Sequence, residues 1–552
     1  MYLTIFFIDV LTYLVFFSFF YFSGRSFLIL LTRFTNNGEI PEYTLLQKTK
    51  ILYPVLGVFI VGNILIFLNF LIPLKNGLVL FILIIFLLIN FLKIKVNLFK
   101  LNLVNFISYL LIPSLLVVSL YSTGWHYDAG FYHLNHQNWL RESNLIIGMI
   151  NIHWTFGMSS IFEYLSSILW FDNSFKLIHF LNIVFVHFFY TFLIDNFQHS
   201  KNKVIINSSF LLLIYSILDN FGINGGRNGF IYFQGATKQD TAVAILFIFI
   251  ARSVFIFLQN KSIQKTDVSI IFLLSLFSLQ IKLSSVMLVF LIIYFVFYLF
   301  KKQHFDIKNI LKIASPSIFF SSIWIIKQYI TTGCFIYPVN GTCVNNFSWY
   351  AQNSTREYES ITRGASYSIS YYEYSLFEWS KYFFSFEINQ TVFINFLISF
   401  TTIFIFYFYI GRYKNRDYLA FSKIFIFIIL NIVYLINYGP TPRYAMGTML
   451  LAIVSIAFLN NEISIKIDKR IILLFVVLSS CLLVRSTSYI SLFNGASYEL
   501  FEPRGIAEYF EQPNGYVKPV EGDQCWINLE CTMSTHEILI EDSMIFKVAK
   551  RK

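Results

Sequence analysis

Apolar runs of 15 to 22 residues, broken by short polar connections, recur along almost the whole chain. They fall near residues 2–22, 51–72, 77–92, 101–121, 175–195, 204–219, 241–259, 268–282, 285–300, 310–330, 391–411, 418–437, 444–460 and 471–485. A helix needs about 20 apolar residues to cross a hydrocarbon layer roughly 30 Å thick. The pattern therefore predicts an all-α polytopic membrane protein with about 12–14 transmembrane helices. The two short runs at 268–282 and 285–300 are open to reading as one kinked or re-entrant pair. The first run carries Asp9 and lacks both a basic leader and a small-residue cleavage pattern, so it reads as a retained helix.

The pattern breaks most sharply between Trp125 and His153. There WHYDAGFYHLNHQNWLRESNLIIGMINIH gathers Asp128, four histidines, Arg141 and Glu142 directly after an apolar run. Three helices precede the run that leads into it. The segment 161–171 that follows is too short to span and reads as an interfacial helix on the bundle. The expected organisation is extra N-terminal helices over 1–100, then a transmembrane core over 101–485 with loops 122–174, 220–240 and 331–390. A small tail over 486–552 completes it.

Composition agrees with this class and excludes soluble ones: 57% of residues are hydrophobic and only 13% charged. The net charge of +11 would suit a polyanion, but its placement points elsewhere. With loops assigned alternately, the side holding 24–50 carries 21 Lys and Arg against eight on the other. Short cytoplasmic loops accumulate positive charge. The basicity thus sets topology, with no nucleic-acid partner, and puts the Trp125–His153 loop, the N-terminus and the tail outside the plasma membrane. Four of the five cysteines, Cys334, Cys343, Cys525 and Cys531, fall in those outer segments, where close spacing suits two local disulfides or leaves four free thiols.

Several residues could carry chemistry. Asp128 could serve as general base toward an acceptor hydroxyl, or cap the following helix. His126, His133, His136 and His153 lack zinc-like spacing, so binding of substrate or phosphate suits His126, His133 and His153 better than a metal site. Lys238 and Asp240 stand at the entrance of the 241–259 helix, where a helix N-terminus favours anions. Lys282 lies between apolar flanks and Arg443 in a turn with two prolines; each is a candidate phosphate ligand, with snorkelling or topology as the simpler account. No nucleotide loop or hydrolase elbow is present.

With an aspartate in the first large outer loop followed by short helices, the chain resembles the GT-C glycosyltransferases. YDAGFYHLNHQNWL, IIGMINIHWTFGMSS, GATKQD, QIKLSS, GCFIYPVNGTC, PTPRYAMG and GDQCWINLECT look like a bacterial polytopic family allied to them. The resemblance implies a GT-C-like fold and transfer of a sugar from a polyprenyl-phosphate donor to an envelope glycan or lipid, with Asp128 as base and no resident cofactor. A divalent metal remains open but is not favoured. The chain departs from GT-C in its three extra helices and in lacking an Asp-x-Asp pair. Two other functions stay in play. A polysaccharide polymerase or ligase would rely on loop arginines such as Arg356 and Arg363, and a lipid-linked glycan flippase would need charges at the midplane.

Overall fold

A computed structural model of the protein describes residues 2–36, 49–91, 102–170, 174–221, 238–259, 263–303, 305–344, 346–347, 349–350, 352–364, 375–410, 418–459, 467–484, 486–494, 508–512, 515–533, 538–543 and 546–551. Every one of the fourteen apolar runs coincides with a helix. Ten helices among the described residues are long and apolar enough to cross a membrane, or eleven if one bent pair counts as a span. The chain is thus a largely helical, multi-pass membrane protein. The shortfall from twelve to fourteen has a simple cause. Gly77–Phe91 has 15 residues, about 22 Å of helix, which is less than the hydrocarbon thickness. Lys265–Ile281 has 17 residues and is also short of a full span, whereas Leu283–Lys302 after it is one of the ten; the bent pair is Lys469–Leu483 with Thr487–Phe493, at 82°.

The first helix, Tyr2–Asn36, runs well past the expected end at residue 22. It crosses Tyr53–Asn69 at two glycines: a Cβ on Gly24 would sit 1.8 Å from the Tyr53 carbonyl oxygen, and one on Gly57 1.9 Å from that of Phe20. Without a hydrophobic drive between helices in lipid, such small-residue contacts are where dispersion and buried polar pairs supply cohesion. Asn63 and Gln280 add a reciprocal amide pair at 3.1 and 2.8 Å, and Tyr13 bonds His187 at 3.0 Å.

The innermost helices, Lys176–His199 and Asp240–Phe257, are almost wholly buried. Tyr418–Tyr438 and Glu387–Ile410 leave most of their apolar surface exposed, as lipid-facing helices do. Arg252, counted from sequence with the cytoplasmic loops, is instead inside the Asp240–Phe257 helix. It is fully buried, donates to Ser209 Oγ at 3.0 Å and lies over the Phe192 ring. Lys327 is buried as well and donates to the Ser159 carbonyl at 3.2 Å and to Gln328 Oε1 at 3.0 Å.

The segment Ile161–Ser167 is a helix, but buried on all its residues rather than lying on the bundle surface. Ion pairing ties the start of the first helix to the same end of the bundle. Asp9 accepts from Tyr121 at 2.8 Å and pairs with Lys176. The tail forms two antiparallel hairpins, Tyr509–Glu511 with Val517–Pro519 and Ile538–Ser543 with Phe546–Arg551. It lies against the first loop: Trp526 N donates to Gly130 O at 2.8 Å, Asn138 to Ile527 O at 2.8 Å, and Ala549 N to Ile147 O at 2.9 Å. The loop at 220–240 falls mostly outside the described residues, which resume at Lys238.

The helix crossing gives the first prediction. Gly57→Leu forces a side chain into the Phe20 backbone and should cost roughly 1–3 kcal/mol or more, as overpacking does. A lowered unfolding temperature in detergent is the expected reading; an unchanged one would rule out so close a crossing.

Candidate functional site

The site begins with a local irregularity. A π turn, Ala129–His133, follows Asp128 directly. Such turns are uncommon and cluster at functional positions. With hydrogen bonds closing over five residues, Asp128 and His133 come to the same side of the turn. The loop before it is held by Ala129 N donating to His126 O at 2.8 Å and by Asp128 N donating to His126 Nδ1 at 3.1 Å.

Asp128 forms an ion pair with Lys238, whose side chain is almost fully buried. Lys238 comes from a different part of the chain and is anchored through its carbonyl, which accepts from Asn182 at 2.5 Å. Two residues on, Asp240 opens the Asp240–Phe257 helix, a position where a carboxylate complements the helix dipole. Its Oδ1 accepts from Lys282 Nζ at 2.5 Å, and its Oδ2 lies 3.9 Å from Arg443 Nε. Lys282 breaks from the helix after Ile281 and sits over the Tyr444 ring, 4.1 Å from its centre. Arg443 is presented by the turn Pro442–Ala445.

Five of the expected residues, Asp128, Lys238, Asp240, Lys282 and Arg443, therefore form one chain of charges. It gathers a loop and the ends of three helices. With three cations and two carboxylates, it carries one excess positive charge. His126 adds none at neutral pH: burial, with Lys238 beside it, brings its imidazole down to about 4. Burial alone would raise the Asp128 carboxyl, but the Lys238 ammonium paired with it outweighs that and holds the group well below the usual carboxylate range. Burial and neighbouring Arg443 push the Lys238 ammonium down, against the pull of Asp128.

A narrow cleft of about 10 Å³, room for about one water, lies beside this cluster, lined by Asp240, Ser284, Asn431, Arg443, Tyr444 and Thr448 among others. Among the described residues, Asp240 Oδ2, Arg443 Nε and Asn431 Oδ1 are buried there without a hydrogen-bond partner. Unsatisfied buried polar atoms on one cleft are what a polar ligand or ordered water would complete.

The histidines separate. His126 is 3.7 Å from Asp128. His133 pairs with buried Glu163, which also accepts from Gln137 at 2.8 Å. His136 stacks on Phe156. His153 is not brought to the cations: it accepts from Thr155 and is enclosed by Phe131, Phe156 and Trp154. No group of three or more His, Cys, Asp or Glu that could hold a metal ion occurs among the described residues.

Arg141 is buried and donates to the carbonyls of Ser167 at 2.6 Å and Trp170 at 3.2 Å. Disulfides join Cys334 to Cys343 and Cys525 to Cys531. The second holds the strip of tail whose Asp523 accepts from Tyr127, next to Asp128.

Sequence reasoning missed Glu163, Gln137, Tyr444 and Asp523. Glu163 had a usable signal, as a lone acid in the apolar IFEYLSS, where an unpaired charge would be costly. Tyr444 had only its place next to Arg443. Asp523 lies almost 400 residues from its partner, and nothing local marks it.

His153 supplies a pH prediction. Burial brings it to about 3, below the ordinary value near 6.5. Its contribution to stability is complete above pH 6.5 and is lost as pH falls from there toward 3. At pH 5 the loss is about 2 kcal/mol. Unfolding temperature should drop between pH 7 and 5, and His153→Asn, which can still accept from Thr155, should flatten that drop. An equal drop in the variant would show that His153 is not held neutral.

No curated protein and no solved structure matches the chain. A family match covers residues 6–450, most of the length, and the chain belongs to that family, described as Domain of unknown function (DUF8201).

Proposed function

We propose that this protein is an integral-membrane glycosyltransferase of GT-C type. It would take a sugar from a polyprenyl-phosphate donor and pass it to an envelope glycan or lipid on the outer face of the plasma membrane. The observation that carries this reading is the meeting of Lys238, Lys282 and Arg443 around two carboxylates at the ends of membrane helices, beside a polar cleft. A lipid phosphodiester bears one negative charge, which matches the one excess positive charge of the cluster. Its prenyl chain would remain in the bilayer.

In the transfer, the bond from the anomeric carbon to the phosphate oxygen breaks and its electron pair leaves with the phosphate. The acceptor oxygen bonds to the same carbon and gives its proton to a base. The phosphate thereby gains a second negative charge, and fixed cations stabilise that charge more than they stabilise the bound donor. Asp128, the carboxylate paired with Lys238, would orient the acceptor hydroxyl by accepting its hydrogen bond. Its pairing with Lys238 makes it a weak base at rest.

The polymerase or ligase reading gains nothing from Arg363, which is ion-paired with Glu359 at 2.8 Å.

The test is binding and turnover with purified protein and a labelled polyprenyl-phosphate sugar. Lys282→Gln and Arg443→Gln should each weaken lipid-phosphate binding about tenfold to a hundredfold, the worth of a charge-assisted hydrogen bond. Asp128→Asn should slow transfer by roughly a hundredfold or more while binding lipid phosphate at least as tightly, because Lys238 loses its competing carboxylate. Wild-type turnover in Asp128→Asn, or binding indifferent to Lys282 and Arg443, would overturn the assignment.

A further inference from the structure

Behind Asp128 lies a second pair of groups that the charge cluster does not use. His133 ends the π turn that Asp128 precedes, so the two residues share one side of it. Its Nδ1 is bonded to Glu163 Oε1. Glu163 is buried and held in place by Gln137, whose own amide oxygen accepts from Trp170 Nε1 at 3.1 Å. An ionised carboxylate can only accept, so Nδ1 supplies the proton of this bond, which in a neutral ring leaves the lone pair on Nε2. Nε2 makes no hydrogen bond to a described residue. The neighbours of the pair are Asp128 and His126 beside His133, Tyr132 and His136 along its own stretch of chain, and Lys327 approaching Glu163 from the Ile307–Thr332 helix. A narrow cleft of about 10 Å³, room for about one water, is lined by Glu163 with Gln137, Ser166, Asn182 and Gln239.

We propose that His133 Nε2, oriented by Glu163, is the atom that takes up the acceptor's proton, with Asp128 positioning the hydroxyl between the two. This rests on the transferase reading. The acceptor O–H bond breaks, its oxygen bonds the anomeric carbon, the phosphate leaves with the electron pair of the old bond, and the proton ends on Nε2. The resulting imidazolium lies against the Glu163 carboxylate, which stabilises it; this is the same division of labour as a base and its orienting acid. Asp128 alone is poorly suited to hold that proton, because Lys238 favours its ionised form.

Two measurements on the full chain in nanodiscs test this separately from the transferase reading. Diethyl pyrocarbonate acylates unprotonated imidazole nitrogen, and mass spectrometry reads each histidine. His133 is expected to react faster than His136 and His153, and Glu163→Gln is expected to slow His133 at least about tenfold while the other two keep their rates. A His133 no more reactive than His136, or indifferent to Glu163, overturns the proposal whether or not any sugar is transferred. With the donor, His133→Gln should lower kcat by roughly a hundredfold or more without changing KM for the lipid phosphate. Glu163→Gln should move the pH profile of kcat, which a merely structural role would not. Wild-type kcat in His133→Gln also overturns it. Failure of the wild-type protein to bind polyprenyl phosphate counts against the transferase reading alone, because labelling still decides the state of His133.

Discussion

Buried charge has to be paired, and that constraint shapes the end of this bundle. Lys238 and Asp240 sit where a spanning helix begins, and neither is solvated enough to stand alone. Asp128 answers Lys238, and Lys282 with Arg443 answers Asp240. Leaving one partner of such a pair unmatched typically costs 3–5 kcal/mol. The loop, the turn after Ile281 and the proline turn that supply the partners are therefore bound to one another through charge as well as through packing.

The same pairing sets the chemistry the site can offer. Two carboxylates hold three cations in place before any anion arrives, so little reorganisation remains when one does. The cost is that Asp128 is kept ionised and weakly basic. The neighbouring His133–Glu163 pair has a different character, an imidazole bonded to a buried carboxylate at the far end of the π turn that Asp128 precedes.

The tail completes this end of the molecule. Its backbone bonds to Gly130, Ile147 and the side chain of Asn138 bring a disulfide-closed strip across the loop that carries Asp128. Tyr127 is held from that strip by Asp523. The tail is thus part of the surroundings of the candidate site, although its residues are the most distant from it in the chain.

Apolar runs long enough to form helices are a one-dimensional property, and all fourteen could be read directly because burial of backbone in lipid leaves helix as the solution. Asp128, Lys238, Asp240, Lys282 and Arg443 were also legible, since polar groups against apolar flanks are expensive and stand out. Their mutual geometry was not. Whether Lys282 snorkels or pairs with Asp240, whether Lys327 and Arg252 face water or the interior, and which histidines border Asp128 all depend on how helices rotate against one another. Asp523 met Tyr127, and Glu163 met His133, only when the chain folded. Sequence periodicity determines which segments enter the membrane; only three-dimensional packing decides which charges face each other, because that depends on contacts between distant segments.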